Sequence, residues 1–349
     1  MAGGVVTTLN PVYTASEAAH QFSDAQAVYL VTAPAFLEKV EEAVRLKKRP
    51  MRRIFVTAEE AAMRGMTGLW MRGSMGEEEA GRAEKAPTGY AEFGSLDVGG
   101  DPAPVAIDPV RDVCVLPYSS GTTGLSKGTM LTHANIVANL EQLSAPGVFL
   151  DGRAPHGPSD TAIAVLPFYH IYGMVVLMNL GMCFGVRIVT VPAFEPGLYL
   201  KLLSAYNVTH AYLAPPLALF LAKSPLVDSK DFPHLKDIFS GAAPLGPELT
   251  EELRQKFPKA CVRQGYGMTE LSPVATVDRE KAKPGSVGYL VPNMEAKVVD
   301  PDTGVEAQPG ATGELWLRGP NVMKGYLGNE KATMDTIDSD GFLHTGDPA

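Results

Sequence analysis

Cysteine is scarce in this chain, acidic residues outnumber basic ones, and no apolar run is long enough to cross a bilayer. The three cysteines, Cys114, Cys183 and Cys261, are scattered through apolar runs without metal-ligand spacing. That fits buried reduced thiols in a cytoplasmic protein rather than a disulfide framework or a zinc site. A net charge of −9, with no basic stripe interleaved with aromatics, argues against nucleic acid as a partner. The N-terminus carries no basic segment followed by an apolar one, which argues against a secretory signal. The most apolar helical stretch, 174–184, is interrupted by Asn179 and falls short of the roughly 20 residues a membrane span requires. It reads as a buried helix, and no internal repeat is evident. What is present, 349 residues with 45% hydrophobic and 20% charged, suits a compact chain that buries about three quarters of its unfolded surface.

The most informative stretch is 118–128. Tyr118, Ser119, Ser120, Gly121, Thr122, Thr123, Gly124, Leu125, Ser126, Lys127 and Gly128 pack hydroxyls, glycines and one lysine into a segment unsuited to a core. Glycines let backbone N–H groups turn inward around an anion, hydroxyls add donors, and the lysine supplies a mobile positive charge. The Walker pattern would need Gly before the lysine and Ser or Thr after it; here Ser126 precedes and Gly128 follows. Standing alone, the stretch also fits a solvated surface loop.

It does not stand alone. Gln264, Gly265, Tyr266, Gly267, Met268, Thr269 and Glu270 put a ring, two glycines, a hydroxyl and a carboxylate together after the apolar pair Cys261–Val262. Tyr266 can stack on a base, and Glu270 can hold a magnesium ion that bridges phosphates; taken alone, Glu270 reads better as a solvated or capping carboxylate. Ser240, Gly241, Ala242, Ala243, Pro244, Leu245 and Gly246 form a strand-to-helix turn of small side chains, fit for the wall of a nucleotide slot. Near the end of the chain, Leu343, His344, Thr345, Gly346 and Asp347 place a carboxylate on a turn, where it can accept hydrogen bonds from ribose hydroxyls.

Between these segments, apolar strands alternate with helical periodicity, as parallel βα units require. A strand at 113–116 leads into the phosphate loop, and Thr132 caps a helix with Ile136, Val137, Leu140 and Leu143 on its apolar face. Strands are expected at 162–166, 187–191 and 208–213, with helices at 196–206 and after Pro247, the latter presenting Leu249, Leu253 and Phe257. After Lys283 short strands at 286–290, 294–299 and 314–318, joined by turn residues such as Pro301 to Gly304, predict a small antiparallel β-barrel. The stretch 73–109 is rich in Gly, Pro, Glu and Ala and reads as a long surface excursion.

In their order and separations the four segments resemble the adenylate-forming superfamily of acyl-CoA synthetases, adenylation domains and beetle luciferases. The branch of closest resemblance is 4-coumarate CoA ligase and its relatives. Leu166, Pro167, Phe168, Tyr169, His170, Ile171, Tyr172 and Gly173 look like that branch's aryl-pocket motif. Gly313 to Pro320 and Met323 to Leu327 look like its later motif. The fold this implies is α/β: a large adenylate-forming N-terminal domain of stacked βα subdomains, 1–165 and 166–282, plus the small antiparallel β-barrel over 283–349.

The resemblance implies a two-step reaction. A carboxylate attacks the α-phosphate of ATP to give acyl-AMP and pyrophosphate, and the thiol of coenzyme A then displaces AMP. By position, Ser119, Ser120, Gly121, Thr122, Thr123, Gly124 and Lys127 would hold the β- and γ-phosphates. Thr269 would meet the α-phosphate, Glu270 would bind Mg²⁺, and Ala242, Ala243 and Tyr266 would sandwich adenine, with Gln264, Gly265 and Gly267 beside them and Asp347 on the ribose. His170 would stand between acyl pocket and phosphate. The acyl pocket would be lined by Ile171, Tyr172, Val175, Phe239, Gly241, Ala242, Gly265, Gly267, Pro273 and Val274. Lys127, His170, Thr269 and Glu270 are the expected catalytic residues.

Several departures sharpen the expectation. Ser126 stands where the family commonly has Pro, and that loosens the loop by about 0.4 to 1 kcal/mol of unfolded-state entropy. Phe239 and Val175 replace Lys and Asn common in hydroxycinnamate enzymes, and Ala193 replaces a lysine linked to CoA recognition. The first two make the pocket more apolar, so a phenol hydroxyl would lose polar partners: a hydroxycinnamate is the first expected acid, with a medium or long fatty acid close behind. The family also carries an earlier strand-and-helix segment and a C-terminal α+β lid with a lysine that assists adenylation, neither of which is expected in this chain. ATP and acyl-adenylate binding with little turnover follows, or a non-catalytic binding fragment. The expected compartment is cytoplasmic, or peroxisomal should a targeting signal follow.

Overall fold

A computed structural model describes residues 3–47, 51–57, 91–92, 105–119, 126–148, 157–191, 193–278 and 283–349. The chain divides into two compact units. One comprises 1–107 and 118–128, the other 108–117 and 129–349.

In the first unit, helices Ala15–Asp24 and Leu37–Leu46 flank a parallel sheet of order β1 (Tyr29–Thr32), β2 (Arg53–Val56), β3 (Ala91–Glu92). Thr14 starts the first helix through a capping box with Glu17. Ala18, Ala19, Phe22 and Ala43 are buried between the helices, with Leu30 packed against them. The same unit holds an antiparallel ladder in which β5 (Tyr118–Ser119) pairs with the start of β6 (Lys127–Thr132), Ser119 opposite Lys127.

The second unit is organised by a seven-stranded sheet. Its order is β13 (Tyr289–Leu290), β12 (Val274–Val277), β11 (Cys261–Gly267), β10 (Asp237–Ser240), β9 (His210–Leu213), β7 (Thr161–Ala164), β8 (Arg187–Thr190). The strands from β8 to β11 run parallel, while β12 and β13 are antiparallel additions. All residues of β7, β9 and β10 are buried, the pattern of strands covered on both faces. Pro196, Pro215 and Pro247 each occupy the first turn of a helix, where proline's missing N–H is not needed.

Four local expectations change. In helix His133–Ser144, capped by Thr132 as expected, Val137 is 55% exposed. The buried stripe instead alternates Ile136 and Leu143 with the amides Asn135, Asn139 and Gln142, because the neighbouring surface there is peptide backbone. The stretch 174–184 is helical but begins as a π-helix, Tyr172–Asn179, before α-helix Leu180–Phe184. Cys183 on that helix is exposed, whereas Cys261 is buried. After Lys283 the antiparallel strands form a three-stranded sheet of β14 (Glu295–Val299), β15 (Glu314–Arg318) and β17 (Leu343–Pro348), while the expected 286–290 strand contributes β13 to the large sheet's edge. A further sheet joins β16 (Gly325–Tyr326), β6 and β4 (Val113–Val115). Among the described residues, no helix is long and apolar enough to cross a membrane.

Candidate functional site

In an open parallel sheet the carboxyl ends of the strands leave backbone groups and loop side chains facing one crevice, which makes them the default binding surface. The second unit puts most of its candidate residues there. His170 follows β7, Gly241, Ala242 and Ala243 follow β10, and Gly265 to Glu270 close β11 and its following 3₁₀ turn, Thr269–Leu271. Ser120, Gly121, Thr122, Thr123 and Gly124 lie outside the described residues; Ser119 and Lys127 are the paired backbone positions that flank them in the first unit. There, Tyr118 donates to Asp24 at 2.6 Å, and His20 Nε2 lies 3.4 Å from the Ser126 carbonyl, so helix Ala15–Asp24 braces both sides of the loop.

At the end of β7, Tyr172 N–H donates to His170 Nδ1 at 3.3 Å, so the neutral imidazole carries its proton on Nε2. His170 keeps an exposed ring edge, yet the surrounding protein desolvates it enough to lower its pKa below the usual imidazole value. It is therefore a neutral donor at physiological pH. Ile171, Tyr172 and Val175 are buried behind it. The Tyr172 hydroxyl donates to the Phe239 carbonyl at 3.1 Å, and the Phe239 ring meets Tyr172 and Tyr212 edge-on.

The turn after β10 is held under strain. Ala242 sits at φ 71°, a left-handed conformation that alanine adopts only where its surroundings impose it. The imposing contacts are Gly241 N–H to the Leu213 carbonyl at 3.1 Å and Leu245 N–H to Gln264 Oε1 at 3.0 Å. The Gln264 amide is thus committed to bracing this turn, and Ala242 and Ala243 are left exposed. At the end of β11, Tyr266 is half-buried and its hydroxyl donates to Asp347 Oδ2 at 2.6 Å. The ring face expected for a base and the carboxylate expected for a ribose are therefore adjacent. Burial first, then the Asp347 hydrogen bond, raise the Tyr266 pKa, so the phenol stays protonated.

Glu270 is only 5% exposed. Its carboxylate accepts from the Tyr326 hydroxyl at 2.9 Å, and its backbone carbonyl accepts from Met323 N–H at 2.8 Å. A carboxylate offers hard oxygen ligands of the kind Mg²⁺ takes, and the Tyr326 hydroxyl that donates to it brings no competing positive charge.

Sequence reasoning missed the scaffold beneath this turn. Asn321 Nδ2 donates to the carbonyls of Leu271 and Val274, Asn139 binds both Val274 N–H and C=O, and Asn135 Nδ2 reaches the carbonyls of Pro320 and Val322. Gln142 Nε2 joins the Pro292 carbonyl to Asn321 Oδ1. The signal was legible in principle: amides at 135, 139 and 142 recur at helical spacing beside the apolar stripe. Asn139→Ala takes the side-chain acceptor from the Val274 N–H in the interior, while Asn321 still serves the Val274 carbonyl, and is expected to cost about 1 to 3 kcal/mol in urea unfolding. An unchanged midpoint would refute the bracing role.

A second consequence concerns pH. His210, 1% exposed on β9, has its pKa lowered below 6.5, mainly by desolvation against the opposing pull of Asp237 and Asp160. The unfolded chain then binds protons that the folded chain refuses, so this stability is complete above about pH 6.5 and is lost as pH falls through the folded pKa. Urea stability is expected to drop between about pH 7.5 and about pH 5.5, with a shallower drop in His210→Gln. Equal slopes in the two proteins would refute it.

A parallel sheet with a tyrosine–carboxylate pair, a buried glutamate turn and a histidine at its carboxyl ends is the arrangement expected in the large N-terminal domain of the adenylate-forming class. The chain belongs to the AMP-binding enzyme family, which it matches over residues 1–327. It is 38% identical over 350 residues to a probable 4-coumarate–CoA ligase 1 of Dictyostelium discoideum, covering 99% of this chain and 60% of that protein. ATP-bound MatB from Rhodopseudomonas palustris superposes with a TM-score of 0.78 at 28% identity, over 99% of this chain and 61% of that one. A long-chain-fatty-acid–CoA ligase, FadD1 from Archaeoglobus fulgidus, does so with a TM-score of 0.78 at 27% identity, over 98% and 64%. The chain thus spans about three fifths of the length of these relatives, and the resemblance read from its motifs holds across nearly all of it.

Proposed function

We propose that this chain binds ATP and a carboxylic acid and activates the acid as acyl-AMP, the intermediate from which coenzyme A takes the acyl group. The carrying observation is the Tyr266–Asp347 pair and the Thr269–Glu270 turn side by side at the end of β11. Tyr266 would stack on adenine while Asp347 takes ribose hydroxyls, and Thr269 would donate to the α-phosphate. Glu270 would hold Mg²⁺, which supplies charge neutralisation between phosphates. As the carboxylate oxygen bonds to the α-phosphorus and pyrophosphate departs, negative charge gathers on the phosphoryl oxygens. Donors fixed at that point contribute most. His170, neutral with its proton on Nε2, would donate to the acid or the phosphoryl group without adding charge to the slot.

The acid proposed first is hydroxycinnamate-like, in keeping with the relative from Dictyostelium discoideum. Support comes from two glycines. A methyl at Gly241 would lie 3.1 Å from the Tyr172 ring, and one at Gly265 would lie 2.7 Å from the Thr276 carbonyl and 2.8 Å from the Phe239 ring, so the two rings pack directly on bare backbone and give the proposed acyl site a flat aromatic wall. A medium or long fatty acid is the second reading, favoured because Val175 and Phe239 are apolar and the Tyr172 hydroxyl is spent on Phe239. The test is ATP binding by calorimetry together with pyrophosphate exchange across coumarate, cinnamate and fatty acids of graded length. Little exchange is expected of this chain by itself; exchange with none of the acids in a preparation as long as its relatives, alongside normal ATP binding, would refute acid activation. Gly265→Ala is expected to depress exchange with aryl acids while ATP affinity holds; equal loss of both would show that Gly265 serves the nucleotide.

A further inference from the structure

Tyr326 is a side chain hydrogen-bonded to Glu270 to which no motif reading assigned a role. It lies on β16, a two-residue strand paired with Met130 and Thr129 of β6, and is 7% exposed within a cluster that includes Val115, Leu131 and Met323. Its position is fixed independently of Glu270, since Tyr326 N–H donates to Thr333 Oγ1 at 2.9 Å. The neighbouring glycine approaches so closely that a methyl at Gly325 would come within 2.7 Å of the Thr333 side chain. From this rigid mount the phenol reaches a carboxylate distant in sequence and donates at 2.9 Å.

We infer that Tyr326 is a positioning residue for divalent-cation binding: its hydroxyl fixes the plane of the Glu270 carboxylate so that the metal accompanying ATP meets a pre-oriented ligand. This rests on the reading of Glu270 as the metal ligand. The argument is geometric. A glutamate on a short turn has three rotatable bonds, and a metal must freeze all of them unless the protein has already done so. Met323 N–H on the Glu270 carbonyl holds the backbone, and Tyr326 holds the head group. Partners that orient a ligating carboxylate typically carry a 10- to 100-fold effect on metal affinity.

The test uses Mn²⁺ as probe, followed by electron paramagnetic resonance in the presence of ATP and a carboxylic acid, and calorimetric ATP binding with and without the cation. Tyr326→Phe retains the ring and its packing, and circular dichroism checks the fold. The expected result is about 10-fold weaker Mn²⁺ binding in the ATP complex with metal-free ATP affinity unchanged. Glu270→Gln should abolish the cation dependence, and adding Tyr326→Phe to it should have no further effect. If Glu270→Gln leaves Mn²⁺ binding intact, the metal assignment itself fails. If Glu270→Gln abolishes it while Tyr326→Phe binds Mn²⁺ normally, or if Tyr326→Phe weakens metal-free ATP binding equally, Tyr326 is merely structural and the inference is overturned. Should Tyr326→Phe fail to fold, Thr333→Val, which frees the β16 mount, is expected to weaken Mn²⁺ selectively, and unchanged binding would overturn the inference.

Discussion

Thr269→Ala is expected to lower acid-dependent pyrophosphate exchange by about 10² to 10³ while ATP affinity changes little. The turn that carries Thr269 does not depend on its hydroxyl. Leu271 N–H bonds the Met268 carbonyl at 2.9 Å and Ser272 N–H the Thr269 carbonyl at 3.2 Å, while Asn321 and Met323 hold the following residues from outside. Removing the hydroxyl therefore deletes one donor and leaves the backbone in place. A donor aimed at charge that develops only during the reaction acts on the rate and not on ground-state binding. Lys127→Ala should lower the rate at least as far, since a full positive charge is lost from the strand that follows the phosphate loop. Measured in an active preparation, exchange within about threefold of the parent for either variant would remove that residue from the proposed chemistry.

Asp237→Leu is expected to destabilise the fold by about 3 to 5 kcal/mol. Arg263 and Asp237 are 1% and 2% exposed, and the guanidinium meets the carboxylate through two parallel hydrogen bonds of 2.9 Å, with a third arm on the Val148 carbonyl at 3.0 Å. Without Asp237 a buried cation loses its counter-charge, and its desolvation is left uncompensated. The pair ties β10 to β11, with Asp237 opposite Cys261 in register, at the end of β10 opposite the turn that carries Ala242 and Ala243. The loss should therefore appear in urea or thermal unfolding, with ATP affinity of the folded protein retained. Replacing both partners by apolar residues, Asp237→Leu with Arg263→Met, should recover most of the stability, because neither charge is then buried. A single variant as stable as the parent would refute this account, as would a double variant no better than the single.

Much of the site was legible because its pieces are local. Gly265 to Glu270 and Gly241 to Ala243 are short runs whose chemistry survives without knowledge of their surroundings, and β10, β11 and the helix after Pro247 bring each to a strand end. Other parts were not legible. The apolar stripe of helix His133–Ser144 was placed one position off, with Val137 on the inside, because periodicity identifies a face without saying what covers it. Here the covering surface is the backbone at Val274, Pro292 and 320–322, which calls for amides. Cys183 looked buried for the same reason: its run is apolar, but its own side of the helix meets solvent.

The sequence by itself determined the alternation of strand and helix, the capped start at Thr132, and the chemical content of the strand-end loops, all of which depend on neighbours within a few residues. Only the tertiary structure decided that Gln264 braces Leu245, that Tyr289–Leu290 joins the large sheet, and that Glu270 is met by Tyr326. Those partners are brought together by chain closure around a buried core. A polar group hidden there must find a hydrogen bond wherever the packing offers one, and that choice is made by the whole fold rather than by adjacent residues.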